Sequence, residues 1–221
     1  MKIDWWVGRK RFGVFMSGLF LISLGVVFMI NGALGVAPWD VFHLGLETYI
    51  PLTLGQTMQA TGLVLIIISY FMGVKPNLGT LLNMIFIGVF FDLIVFMGFT
   101  FSPEILAVRI LFFLVGSFIY GFGSGMYISA NWGPGPRDSL MVALNQKTGI
   151  RIGYVRGSIE ITVLGVGFLL GGPIGIGTVV FSIFIGFLVE FGLYCMKRFL
   201  DLTAPIRRSK KQEKVLVPNS I

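Results

Sequence analysis

Residues 35–40 read GVAPWD, and residues 133–138 read GPGPRD. These hexapeptides belong to a longer internal repeat, because residues 11–92 realign on residues 109–190 without a gap at a constant offset of 98 (109 − 11 = 98). The identical positions include Gly, Pro and charged residues, which an apolar composition alone would not align. Such a repeat constrains the whole fold, because the two units share one arrangement of elements.

The composition is that of a membrane protein. Apolar residues make up 55% of the chain and charged residues 12%, against about 25% charged residues in a soluble domain. Apolar runs of about 18–20 residues recur, which is the length that crosses ~30 Å of hydrocarbon as a helix. We therefore predict an all-α integral membrane protein with six transmembrane helices, at residues 12–33, 56–74, 79–100, 105–130, 154–172 and 177–199.

Two further segments, residues 38–50 and 136–148, occupy equivalent places in the two repeats and are too short to span. Each begins with Pro, which suits the first turn of a helix. We interpret them as short re-entrant or interfacial helices. In the alternative topology both segments cross the membrane, giving eight spans and parallel repeats, although Glu47 makes a crossing costly for the first.

The charges on the two equivalent connections predict the topology. The connection at residues 31–55 carries Asp40 and Glu47 but no Lys or Arg, whereas residues 131–156 include four basic residues. Positive loops remain in the cytoplasm, so the first connection faces out and the second faces in. Three spans per repeat then place the second repeat upside down, which is a 3+3 inverted repeat.

This topology divides the chain into four parts in the cell membrane, with both termini cytoplasmic. They are a basic N-terminus (residues 1–11), membrane repeat 1 (11–102), membrane repeat 2 (103–200) and a basic tail (201–221). Five Lys or Arg follow residue 205, so we expect the tail to lie against the anionic inner leaflet.

The two Gly/Pro breaks are the first candidate site. Gly and Pro interrupt a helix, and the free N–H groups of the helix that follows form a polar point within the membrane. Asp40, Asp138 and Arg137 are the candidate substrate- or ion-binding residues there. The alternative is that each Asp only caps the start of its own helix.

Asp92 and Glu190 are repeat-equivalent carboxylates within predicted spans, and they are further candidates for binding a proton or cation. Intramembrane carboxylates are costly and face either a cavity or a partner. As a structural alternative, we expect Arg109 to pair with Asp92 and Asp40 on the outer side, and Arg11 to pair with Glu190 and Asp138 on the inner side.

Other residues suggest no catalytic chemistry. His43 is the single histidine, and we expect it to be partly exposed rather than functional. Arg156 and Glu160 are four residues apart and are expected to pair on one helix. No metal-ligand cluster, phosphate loop or nucleophile triad is present, so we predict no metal, no cofactor, no nucleic-acid partner and no enzymatic activity.

The paired hexapeptides, together with GTLLN at residues 79–83 and Phe91-Asp92, resemble the bacterial YczE-type membrane proteins, grouped with YyaS and YitT. The resemblance covers about residues 10–200. It implies a multi-pass plasma-membrane protein and does not imply a substrate.

Two functions remain open from the sequence. The first is a small secondary transporter or channel that binds an unknown solute or ion at the repeat interface. The second is a non-transporting membrane factor that regulates or recruits another system. GxxxG spacings at Gly121/Gly125 and Gly167/Gly171 allow close helix packing, either within the chain or in a homodimer.

Overall fold

The computed structural model describes residues 5–203, and the regular secondary structure of this part of the chain is all α-helical. Its eight helices are α1 Trp5–Gly32, α2 Pro38–Glu47, α3 Leu54–Phe71, α4 Leu78–Phe96, α5 Leu106–Ser129, α6 Pro136–Thr148, α7 Ile152–Leu169 and α8 Ile176–Thr203. Six of them are long and apolar enough to cross a membrane, and α2 and α6 are the short helices. The predicted all-α membrane fold is confirmed. The basic tail, for which a position on the inner leaflet was predicted, lies outside the described residues.

Local sequence determines where several helices begin. The Thr53 side chain accepts a hydrogen bond from Gln56 N, and the Gln56 side chain accepts one from Thr53 N, which completes a capping box at α3. Asn77 and Thr80 form the same reciprocal pair at α4. These caps satisfy N–H groups that would otherwise lack a partner at the helix start.

The two breaks have the same backbone conformation. Ala33 and its repeat counterpart Asn131 have φ angles of 47° and 55°, and Gly35 and Gly133 have φ angles of 121° and 129°. Side chains are strongly disfavoured at the larger angles, so Gly is required at both of these positions. The sequence repeat is therefore also a repeat of backbone geometry.

The equivalent helices α1 and α5 pack directly on each other through glycine. Gly18 lies against Gly123, and Gly25 lies against Gly116, so close that a Cβ on either α1 residue would sit 2.7 Å from the opposing carbonyl oxygen. The contacts run in opposite order along the two helices, which are therefore antiparallel. Close backbone approach of this kind substitutes in lipid for a hydrophobic driving force.

Each break also contacts the other repeat. Gly177 N, at the start of α8, donates a hydrogen bond of 2.8 Å to Leu34 O in the first break. Gly79, at the start of α4, packs on Trp132 O in the second break. Thr80 Oγ1 donates to Pro134 O at 2.8 Å. These exchanged contacts bring both breaks to the interface between the repeats.

Candidate functional site

A cavity of about 170 Å³ lies between the two breaks. All eight helices contribute to its wall, and many lining residues are repeat-equivalent. Three such pairs are Trp39 with Arg137, Asp40 with Asp138, and Met58 with Arg156. The cavity therefore lies on the interface that relates the repeats, with most of its charged groups supplied by the second repeat.

Asp40 and His43 are the most deeply buried polar residues of the cavity, each only 1% exposed. His43 Nδ1 is 3.6 Å from Asp40 Oδ1, which is beyond hydrogen-bond distance. Asp40 Oδ2 and both imidazole nitrogens have no hydrogen-bond partner. Burial lowers the pKa of His43, and the Asp40 carboxylate opposes that shift. The expectation that His43 is partly exposed is wrong, because α2 is enclosed by the bundle.

Arg137 extends into the cavity from the first turn of α6. Its guanidinium lies over the Trp39 ring, 4.7 Å from the ring centroid. Arg137 Nη1 also donates to Tyr120 Oη at 3.5 Å. No carboxylate of the described residues forms an ion pair with it. A planar cation held by aromatic groups in this way keeps donors available for a ligand.

The remaining charged groups of the cavity are satisfied within the protein. Tyr127 Oη donates a hydrogen bond of 2.6 Å to Asp138 Oδ2. Arg156 Nε is 2.9 Å from Glu160 Oε1, which confirms the predicted pair on one helix. The cavity therefore contains both internally paired charges and unpaired ones.

Neither Asp40 nor Asp138 forms a capping hydrogen bond at the start of its helix. The residues at the N-caps of α2 and α6 are Ala37 and Gly135, and neither helix has a side-chain cap. Asp138 accepts from Tyr127, and Asp40 Oδ2 accepts from no group. Both carboxylates are in the first turn of their helices, near the positive end of a helix dipole.

Asp92 is not among the residues that line the cavity. It connects α4 to the start of α3 through hydrogen bonds. Its carboxylate accepts hydrogen bonds from Thr53 Oγ1 at 2.6 Å and from Gly55 N at 3.1 Å. Beside it, Gly55 and Gly88 meet so closely that a Cβ on either would overlap the carbonyl oxygen of the other. Glu47 is near, since burial and the negative charge of Asp92 together raise its pKa.

The equivalent contact between α7 and α8 is open. Gly153 and Gly186 correspond to Gly55 and Gly88, and a Cβ on either would meet no atom within 4 Å. Glu190, the counterpart of Asp92, is exposed, and no ion pair of the described residues includes it. The same pair of helices therefore packs tightly in one repeat and stands apart in the other.

The two predicted Arg–carboxylate clusters are not brought together. Arg109 Nε donates to Gly32 O at 3.1 Å, and its Nη2 donates to Ala33 O, so the side chain satisfies the end of α1 and does not pair with Asp92. Arg11 is exposed on α1, and no ion pair within the described part of the chain joins it to Glu190 or Asp138. Asp40 lines the cavity, to which neither Arg11 nor Arg109 contributes.

Sequence reasoning missed three groups at the site. The internal repeat gave no reason to select His43, because its counterpart in the second repeat is Met141. His43 does follow Asp40 by three residues on one helix, and that spacing could have indicated that the two side chains are neighbours. Tyr120 and Tyr127 are unremarkable in an apolar run. Their roles depend on the chain reversing between α5 and α6.

The family comparison agrees with this architecture. The profile of a family of unknown function, DUF6198, matches residues 9–193. The chain belongs to this family. The resemblance to YczE-type proteins is likewise confirmed, and no solved structure matches the chain.

Three relatives from two bacterial species match most of this DUF6198 member. The chain is 39% identical over 188 residues to the uncharacterized membrane protein YczE of Bacillus subtilis, covering 83% of this chain and 85% of the relative. It is 33% identical over 198 residues to an uncharacterized protein of Haemophilus influenzae, covering 88% of each. It is 28% identical over 163 residues to the protein YyaS of Bacillus subtilis, covering 73% of this chain and 81% of the relative.

Proposed function

We propose that this membrane protein is a small secondary transporter that exposes its central cavity alternately to the two sides of the membrane. The proposal includes no enzymatic step, no cofactor and no nucleic-acid partner. Its ligand is a small solute held between the two breaks. Secondary transporters with inverted repeats place their substrate at this position, where two interrupted helices meet.

Inversion of the repeats is supported by two independent observations. The equivalent helices α1 and α5 run antiparallel, and the equivalent connections carry opposite charge. With the basic connection in the cytoplasm, both termini are also cytoplasmic. The basic tail then faces the anionic inner leaflet, and the acidic connection with Glu47 faces outward.

The observation that carries the proposal is the unequal packing of equivalent helix pairs. α3 and α4 are closed at Gly55 and Gly88, whereas α7 and α8 are open at Gly153 and Gly186. An inverted repeat that adopts two different packings has a second state of similar structure, in which the repeats exchange conformations. In the assigned topology, the described state is closed outside and open to the cytoplasm.

Cysteine cross-linking tests the exchange directly. On a Cys195→Ala background, one variant carries Thr53→Cys with Asp92→Cys, and the second carries the equivalent Arg151→Cys with Glu190→Cys. Thr53 and Asp92 are in contact in the described state. Replacing them by Cys leaves the neighbouring Gly55–Gly88 contact between α3 and α4 intact. We expect rapid cross-linking of the first pair in membranes and slower cross-linking of the second, because the second closes only in the exchanged state.

The control variant combines Thr53→Cys with Glu190→Cys, two positions that belong to opposite gates and meet in neither state. Mass spectrometry of the cross-linked peptides gives the yield for each pair. If the second pair remains unlinked after the first is fully linked, to the same extent as the control, the helices α7 and α8 do not close and alternating access is refuted.

A further inference from the structure

Two groups of opposite sign in the cavity, Asp40 and Arg137, have unused hydrogen-bonding atoms and no carboxylate–guanidinium ion pair. Arg156 is paired with Glu160, and Asp138 accepts a hydrogen bond from the neutral Tyr127, which satisfies one carboxylate oxygen but leaves the charge in place. Asp40 is 1% exposed, and its Oδ2 has no partner. Arg137 has no ion pair to any carboxylate of the described residues. An unpaired buried charge is costly, so Asp40 favours a cationic group. Arg137 is half-buried, and its remaining N–H donors favour an anionic group.

Asp40 and Arg137 do not neutralise each other. No ion pair within 4.0 Å joins them, and Arg137 lies over the neighbouring Trp39 ring instead. His43 does not replace the missing cation, because its Nδ1 lies 3.6 Å from Asp40 Oδ1 without a hydrogen bond and burial disfavours the charged imidazole. Neither Arg137 nor His43 therefore neutralises Asp40 within the described residues.

We propose that the cavity binds a small zwitterionic solute, with its cationic group at Asp40 and its anionic group at Arg137. This inference rests on the proposed transport function and specifies its substrate class. A simple cation would leave Arg137 without a counter-charge, and a simple anion would leave Asp40 without one. A zwitterion satisfies both in one step and adds no net charge to the cavity.

The surrounding structure favours the anionic end of the ligand at Arg137. Arg137 is in the first turn of α6, whose positive dipole end strengthens binding of an anionic group. The cavity volume of about 170 Å³ suits a compact solute. Trp39, Tyr120 and Tyr127 line the same space and provide apolar and aromatic surface for the body of such a molecule.

Binding to the purified full-length protein tests the class. The probes are the twenty protein amino acids, glycine betaine and taurine, measured by thermal shift and then by titration calorimetry. The best zwitterion is compared with its analogue lacking the cationic group and its analogue lacking the anionic group; for alanine these are propionate and ethylamine. We expect one or more zwitterions to bind and each analogue to bind about 30-fold more weakly or worse.

Two variants test which residue binds the cationic group of the ligand and which binds its anionic group. Asp40→Asn should weaken the zwitterion at least about 30-fold and leave the analogue without a cationic group unaffected. Arg137→Gln should weaken the zwitterion equally and leave the analogue without an anionic group unaffected. Glu104→Gln, an exposed site outside the cavity lining, is the matched control and should change nothing.

The outcomes separate this inference from the transport proposal. If no zwitterion binds, or an analogue binds as well as the zwitterion, the zwitterion assignment is overturned. If the Arg151/Glu190 cysteine pair still cross-links in that case, alternating access stands and only the substrate class falls. If that pair fails to cross-link while a zwitterion binds through Asp40 and Arg137, the binding site stands and transport falls.

Discussion

Replacing Gly88 by Ala should open the closed pair of helices, whereas the same change at Gly186 should not. The Cβ of Gly88→Ala would overlap Gly55 O and would lie 2.7 Å from Gln59 Cγ. Optimal separation between carbon atoms is about 3.5–4.0 Å, so α3 and α4 must move apart. At Gly186 the added methyl meets no atom within 4 Å.

The magnitude follows from that overlap. Overpacking of a close contact costs about 1–3 kcal/mol, which lowers the population of the closed packing about 5- to 150-fold relative to an open one. Ala also favours a helix over Gly by about 1 kcal/mol. That gain is common to both variants, so the difference between Gly88→Ala and Gly186→Ala isolates the interhelix contact.

Accessibility of a cavity residue measures the effect. Thr61 lines the cavity from α3, so Thr61→Cys on a Cys195→Ala background can be labelled by a membrane-impermeant maleimide added outside. We expect Gly88→Ala to raise the labelling rate about 5- to 150-fold and Gly186→Ala to leave it unchanged or lower it. Equal labelling of the two variants would refute the assignment of the Gly55–Gly88 contact as a gate.

Three other predictions test the remaining assignments. For topology, a cysteine placed at Glu47 should react with an impermeant reagent from outside, and a cysteine at Lys147 only after permeabilisation; reaction of both from one side would exclude inverted repeats. Asp92→Asn should destabilise the protein by about 1–3 kcal/mol in thermal unfolding, because its hydrogen bonds to α3 are weakened. Adding Arg109→Leu should give an additive further loss, and recovery of stability would instead show an ion pair between the two residues. Truncation after Thr203 should leave the melting temperature unchanged and weaken binding to anionic vesicles by about 1 kcal/mol for each basic residue removed.

Local features of this protein could be predicted from the sequence because neighbouring residues determine them. The number of spans follows from the length of the apolar runs, and the two short helices follow from their Pro starts. The pair between Arg156 and Glu160 depends only on helical spacing, and the structure has it at 2.9 Å. None of these inferences required knowledge of which helices are neighbours.

The side-chain partners could not be predicted because they depend on helix order. Arg109 was expected beside Asp92, yet the antiparallel packing of α5 on α1 places it at the end of α1, where it binds Gly32 O. The glycines at residues 18, 25 and 32, spaced by seven, indicated that packing. Continuing their register would have placed Arg109 beside Gly32.

The contrast between Asp92 and Glu190 bears on the choice between a structural and a functional carboxylate. A carboxylate with only a structural role should be bonded in both repeats, because the repeats share depth and sequence context. Instead Asp92 accepts two hydrogen bonds, and Glu190 is exposed beside an open contact. Two hydrogen bonds to a carboxylate stabilise the closed packing of α3 and α4 by a few kcal/mol, and ligand binding can reverse a difference of that size. A gate is expected to have contacts of this moderate stability, because much stronger contacts would hold the protein in a single state.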